Sequence, residues 1–191
     1  MIDQKNLGIR CQNGKVINVS FVILSLVGLY IFFRYVHPVV PWDGDDWSTM
    51  GSFMTSSDLG VPLVGEHYER VLPAFLGTIA GYFAAFVIYP LTGDYIGSLV
   101  TVNSIVLAMT ILISLIMVYT LLRYGLKANQ VNSLFGVIYF VIAGFLLFKT
   151  TDSCTYLYWQ YNVCTIYYYS VPSYLASAYI ILLIMDRSFK T

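Results

Sequence analysis

The sequence predicts an all-α, polytopic membrane helical bundle of four to five spans, with a long external first loop carrying interfacial or re-entrant helices. Three observations predict it. Hydrophobic residues make up 58% of the 191 and charged residues only 10%, where a soluble domain carries about 25% charge. Mean hydropathy is correspondingly high, at +0.73. Apolar windows recur at Val16 to Val36, Val71 to Tyr89, Ser98 to Leu122, Ser133 to Phe148 and Thr165 to Met185, near the 17 to 25 residues a helix needs to cross a bilayer. Aromatic residues, at 17% and rich in Tyr, suit the two headgroup regions, where amphipathic rings settle. The net charge of zero gives no electrostatic basis for binding nucleic acid.

The elements follow in order. Lys5, Arg10 and Lys15 precede the first window like a signal peptide's basic region, but no small-residue exit follows, so the segment reads as an uncleaved signal anchor. The second window is unusual: Pro73 stands near its start, Gly77 and Gly81 lie within it, and Pro90 closes it ahead of the turn Leu91-Thr-Gly-Asp-Tyr95. If all five windows cross from a cytoplasmic N-terminus, most basic residues fall outside. If the second returns to the side it came from, Lys5, Arg10, Lys15, Arg123, Lys127, Arg187 and Lys190 are cytoplasmic and Arg34, Arg70 and Lys149 are not. The second arrangement satisfies the positive-inside rule. It gives a single membrane domain: a cytoplasmic leader over residues 1–15, spans at 16–36, 98–122, 133–148 and 165–185, and an external loop over 37–97 with a membrane-associated helix at 71–89. Both termini are then cytoplasmic, in a plasma membrane of the bacterial inner-membrane kind. Cys154 and Cys164 flank a Tyr/Trp-rich segment; they form a disulfide if that side is oxidising and remain thiols if it is not.

Candidate chemistry gathers just past the first span. Asp43, Asp45 and Asp46 sit between Trp42 and Trp47 in a Gly-containing turn after two prolines, where no helix or strand forces their carboxylates apart. Such a group can ligate Mg2+ or Mn2+ through oxygen, or supply a general base to an acceptor hydroxyl. The simpler alternative is that Asp46 caps a helix beginning at Trp47-Ser-Thr-Met50. Trp42 and Trp47 suit either sugar stacking or interfacial anchoring.

Glu66, His67, Glu69 and Arg70 open the second window. A cation at a helix start opposes the helix dipole, so Arg70 makes better sense beside a phosphate, which Arg binds bidentately. An interfacial Arg touching phospholipid headgroups is the alternative. His67 reads as a surface residue, since no second His stands at ligand spacing. Asn103 and the small residues around it read as helix-packing features. The Tyr156-Leu-Tyr-Trp-Gln-Tyr161 and Tyr167-Tyr-Tyr169 runs read as an aromatic belt ahead of the last span, with a carbohydrate groove as the alternative.

Taken in order, Trp42-Asp-Gly-Asp-Asp-Trp47, Glu69-Arg-Val-Leu-Pro73, Asn103 and Leu122-Arg-Tyr-Gly-Leu126 resemble the N-terminal part of the GT-C class of membrane glycosyltransferases, which use polyprenyl-phosphate sugars. The motifs are short, and their order covers about residues 15 to 185. The resemblance implies that Asp45 or Asp46 is the general base, assisted by Asp43 or by a divalent cation held at Asp43 and Asp45. It places Arg70 or His67 near the donor phosphate, with Glu66, Trp42 and Trp47 as further substrate contacts. The partners it implies are the lipid-linked donor, membrane lipid and a second membrane protein completing the site. A non-catalytic accessory subunit or family remnant is the alternative. A transporter is a weaker one, because ionisable residues, which mark translocation paths, are scarce inside the windows.

Overall fold

The structure, a computed structural model, describes residues 4–41, Gly44, Asp46, Trp47, 71–147 and 162–188. Side chains are described from Val16 in the first helix, from Leu76 in the second, to Gly144 in the fourth and to Asp186 in the last. Every regular element among the described residues is helical. Helix α1 runs over Gln4–Ile31 and widens into the π turn Phe32–Val36. Helix α2 joins Val71–Phe83, the π turn Ala84–Ile88 and Tyr89–Thr92. Helix α3 spans Tyr95–Thr120 and ends in the π turn Leu121–Gly125. Helix α4 is Gln130–Leu147. Helix α5 joins Val163–Thr165, the π turn Ile166–Ser170 and Val171–Ser188.

The two π turns inside helices have a local cause. Proline lacks an N–H and its ring collides with the carbonyl four residues back. The Ala84–Ile88 turn directly precedes Tyr89-Pro90, and Ile166–Ser170 directly precedes Val171-Pro172. Widening the preceding turn moves the offending carbonyls and lets the helix continue. Pro90, which reads in the sequence as the end of the second window, is therefore passed, and Gly93 ends the helix instead. Gly93 takes φ +68°, a left-handed conformation in which a Cβ is penalised.

Asp94 then caps α3, its Oδ1 accepting the Gly97 N–H at 2.9 Å. The connection from α3 to α4 is as short. Ala128 N–H donates to Leu122 O at 3.0 Å across Lys127, which has φ +54°, a helix-ending geometry that usually employs glycine. Short links of this kind make neighbouring helices antiparallel.

Helix α3 is the centre of the bundle and packs against each of the others. Its buried residues include Leu99, Leu107, Ile111 and Leu115, which meet Leu29 and Phe33 of α1 and Ile166, Tyr167 and Val171 of α5. The Ser and Thr hydroxyls along it fold back on the preceding turn: Ser104 donates to Val100 O at 2.6 Å and Thr110 to Val106 O at 2.7 Å. These hydroxyls are thus satisfied without water. Helix α2 lies along α3, placing the small side chains of Thr78, Ala80 and Ala84 in the interface, where they allow close backbone approach.

Five hydrogen bonds set helix direction. Asn18 of α1 accepts from Tyr119 of α3 and from Gln130 of α4, both at 2.9 Å. At the other end of α3, Asn103 donates to Val39 O, just past α1, at 3.4 Å. Helix α1 is therefore antiparallel to α3. Helix α5 runs parallel to α3, since Tyr167 meets Asn103 and Ser114 donates to Tyr174 O at 3.0 Å. Asn18 and the end of α5 consequently share one end of the bundle, and the acidic turn occupies the opposite end.

Among the described residues three segments are long and apolar enough to cross a membrane: Val16–Val36, Tyr95–Gly125 and Val163–Asp186. Leu76–Thr92 and Gln130–Gly144 are shorter apolar helices. Large apolar side chains such as Leu24, Phe86, Phe135 and Tyr139 cover the outside, an exterior that suits hydrocarbon rather than water.

Candidate functional site

The first helix ends with His37 N–H donating to Phe32 O at 2.8 Å. The His37 ring stacks on Phe32 with centroids 5.9 Å apart and is almost wholly buried. From there the chain runs through Pro38, Val39, Val40 and Pro41 toward the acidic turn. Val39 is fully buried, and its carbonyl is held by Asn103. Asn103 in turn accepts from Tyr167 hydroxyl at 3.0 Å, and both residues are buried. This network fixes the approach to the turn against α3 and α5.

A second tie fixes the acidic segment itself, whose described residues Gly44, Asp46 and Trp47 are helical rather than the open turn the sequence suggests. Asp46 is 0% exposed, and its Oδ1 accepts the backbone N–H of Cys164 at 2.7 Å. Cys164 lies in the first turn of α5, whose N-cap is Asn162; the Asn162 Oδ1 takes the Thr165 N–H at 2.8 Å. Helix starts leave N–H groups without intrahelical partners and favour negative charge. Asp46 and Asn162 answer that need from two distant parts of the chain. Asp46 thus serves the N-terminus of α5; residues 48–50, on which the expected cap of its own segment would act, lie outside the described residues.

Trp47 points the other way. It is 41% exposed and stacks on Tyr95 at the start of α3, with centroids 6.3 Å apart and planes at 19°. Tyr89 meets Tyr95 edge-on at 5.7 Å. The acidic turn is therefore bounded by buried hydrogen bonds on one side and by an exposed aromatic group on the other.

Trp42, Asp43, Asp45, Glu66, His67, Glu69 and Arg70 lie outside the described residues, as does Cys154. Among the described residues no group of three or more His, Cys, Asp or Glu side chains could hold a metal ion. Of the three aspartates, Asp46 already spends one oxygen on a backbone N–H.

No family model, curated protein or solved structure matches this chain. Sequence reasoning did not single out Tyr89, Tyr95 or His37. Tyr95 carried one usable signal, its place directly after the Gly93-Asp94 turn. His37 carried none beyond its position between an apolar window and a proline.

Proposed function

We propose that this chain is a GT-C-like glycosyltransferase, or the N-terminal module of one, acting on a polyprenyl-phosphate sugar at the non-cytoplasmic face of the membrane. The observation that supports this most directly is the double anchoring of the acidic turn, through Asp46 to Cys164 and through Val39 to Asn103. Catalytic groups need a rigid frame to hold their geometry. In this reading Asp46 holds the turn, and Asp45, with Asp43 beside it, does the chemistry. The acceptor hydroxyl gives its proton to Asp45 as its oxygen bonds to the anomeric carbon. The anomeric carbon–oxygen bond breaks, and its electron pair leaves with the lipid phosphate, whose charge Arg70 and His67 offset. Asp43 and Asp45 would hold a divalent cation, which would supply positive charge opposite the same phosphate.

The accompanying topology has four crossings, by α1, α3, α4 and α5, with both termini cytoplasmic in a plasma membrane of the bacterial inner-membrane kind. The helix directions support it, because α1 and α5 present Asn18 and Asp186 at the same end of the bundle. Helix α2 is re-entrant in this reading and ends at the external turn Gly93-Asp94. In a chain with its native cysteines replaced, a thiol at position 94 should react from outside and one at position 127 from inside. Labelling of position 127 from outside overturns the arrangement.

The activity is tested by sugar transfer from a polyprenyl-phosphate donor in liposomes. Asp45→Asn should reduce transfer by about 100-fold or more, the scale of a lost general base. Unchanged transfer in Asp45→Asn and Asp43→Asn overturns the catalytic reading. One observation favours a second reading, that of a non-catalytic accessory subunit: Asp46, the one of the three aspartates that is described, is buried with its Oδ1 on the Cys164 N–H. Under that reading neither substitution changes transfer, and a larger membrane protein copurifies with the chain.

A further inference from the structure

We propose that Trp47, Tyr95, Tyr89 and Asp94 form a saccharide-binding face that takes the pyranose ring of a lipid-linked sugar. The proposal rests on the glycosyltransferase reading for its occupant and adds residues and a ligand class to that site. A pyranose has one face of C–H groups and a rim of hydroxyls. It binds where an aromatic face and a carboxylate stand side by side, because the first takes the apolar surface and the second accepts from the rim.

Both are present here. Trp47 turns one face to Tyr95 and keeps 41% of its surface exposed, while Tyr95 and Tyr89 remain 37% and 43% exposed. Asp94 is the immediate neighbour of Tyr95 and is exposed. Its Oδ1 holds the Gly97 N–H, and a carboxylate carries further lone pairs for a hydroxyl. The group lies at the acidic end of the bundle, next to Asp46 in sequence and where helix α3 begins.

Simple anchoring explains less. An interfacial ring needs only to reach headgroup depth, whereas Trp47 is held in one orientation against a helix from another part of the chain. Fixing a side chain in this way costs rotamer freedom, which a defined binding face requires and an anchor does not.

The test uses the full chain in nanodiscs, with Trp42 and Trp159 replaced by Phe so that Trp47 reports alone. Its fluorescence is followed as monoglucosyl diacylglycerol replaces phosphatidylcholine, and separately as soluble methyl β-D-glucopyranoside is added. The expected result is a saturable change with the glucosylated lipid. It should weaken about ten-fold in Tyr95→Ala, a loss on the scale of one aromatic contact, and also in Asp94→Asn, which keeps the helix cap. Tyr139→Ala, at an exposed tyrosine elsewhere, should leave it unchanged. A response indifferent to Tyr95→Ala, or absent with glucosylated lipid, identifies interfacial anchoring and overturns the proposal. Saturation only by the soluble glycoside overturns the lipid-linked occupant. Binding is read without turnover, so unchanged transfer in Asp45→Asn with this response intact removes the catalytic reading and leaves the face standing, whereas loss of transfer in Asp45→Asn with no response in the unsubstituted chain removes the face and spares the catalytic reading.

Discussion

The hydroxyl of Tyr167 donates to the Oδ1 of Asn103 at 3.0 Å, and neither residue has appreciable contact with the outside of the bundle. One bond thereby couples helices α3 and α5 at the level where Asn103 also holds the Val39 carbonyl. Removing the hydroxyl in Tyr167→Phe should cost about 0.6 to 1.7 kcal/mol, the range for hydrogen bonds between membrane helices. Asn103→Leu should cost more, because it also strands the Val39 carbonyl. Equilibrium unfolding in mixed micelles measures both. The double variant should be less destabilised than the sum of the two; strict additivity rejects the coupling.

Asp46 makes a second prediction. Asp46→Ala leaves the Cys164 N–H buried without its acceptor and should destabilise by about 1 to 3 kcal/mol. Asp46→Asn keeps an acceptor oxygen and should recover most of that loss. Equal destabilisation by the two substitutions would mean that charge rather than the hydrogen bond closes the site.

The α2–α3 corner should be sensitive at two glycines for different reasons. Gly93→Ala places a Cβ at φ +68°, a strain of about 1 kcal/mol. Gly97→Ala runs a Cβ into the Asp94 carboxylate and should displace the cap, at a cost of about 1 kcal/mol. Adding Asp94→Ala to Gly97→Ala should then cost little more, which thermal unfolding of the three variants can check.

Lys127 occupies a left-handed position, φ +54°, with no compensating loss of a Cβ. Lys127→Gly should stabilise by up to about 1 kcal/mol, and Lys127→Val should destabilise by at least as much. A midpoint unchanged in both would show that the turn relaxes freely.

The sequence made the apolar windows legible because a helix that meets hydrocarbon must be apolar over its whole length, and all five windows became helices. Their ends were harder to read. Tyr95, Ile96 and Gly97 extend α3 beyond its window because Asp94 caps it, and α2 passes Pro90 because a π turn absorbs the ring. Asn103 was legible as a packing residue, since a lone amide among apolar residues must find a partner. Its partners were not, because no periodicity links position 103 to 39 or 167. The same holds for the candidate site. Trp47 and Asp46 stood out by composition, yet Tyr95 and the Cys164 amide meet them only through the tertiary fold.

The bond from Asp46 to Cys164 joins residues 118 apart in sequence. At a synthesis rate of about 5 to 20 residues per second, roughly ten seconds pass between the emergence of one and that of the other from the ribosome. Throughout that interval Asp46 lacks the α5 amide it closes against. Assembly of this end of the molecule is therefore a terminal event in biogenesis, and a nascent chain arrested before its last hydrophobic segment would carry the carboxylate without its destination.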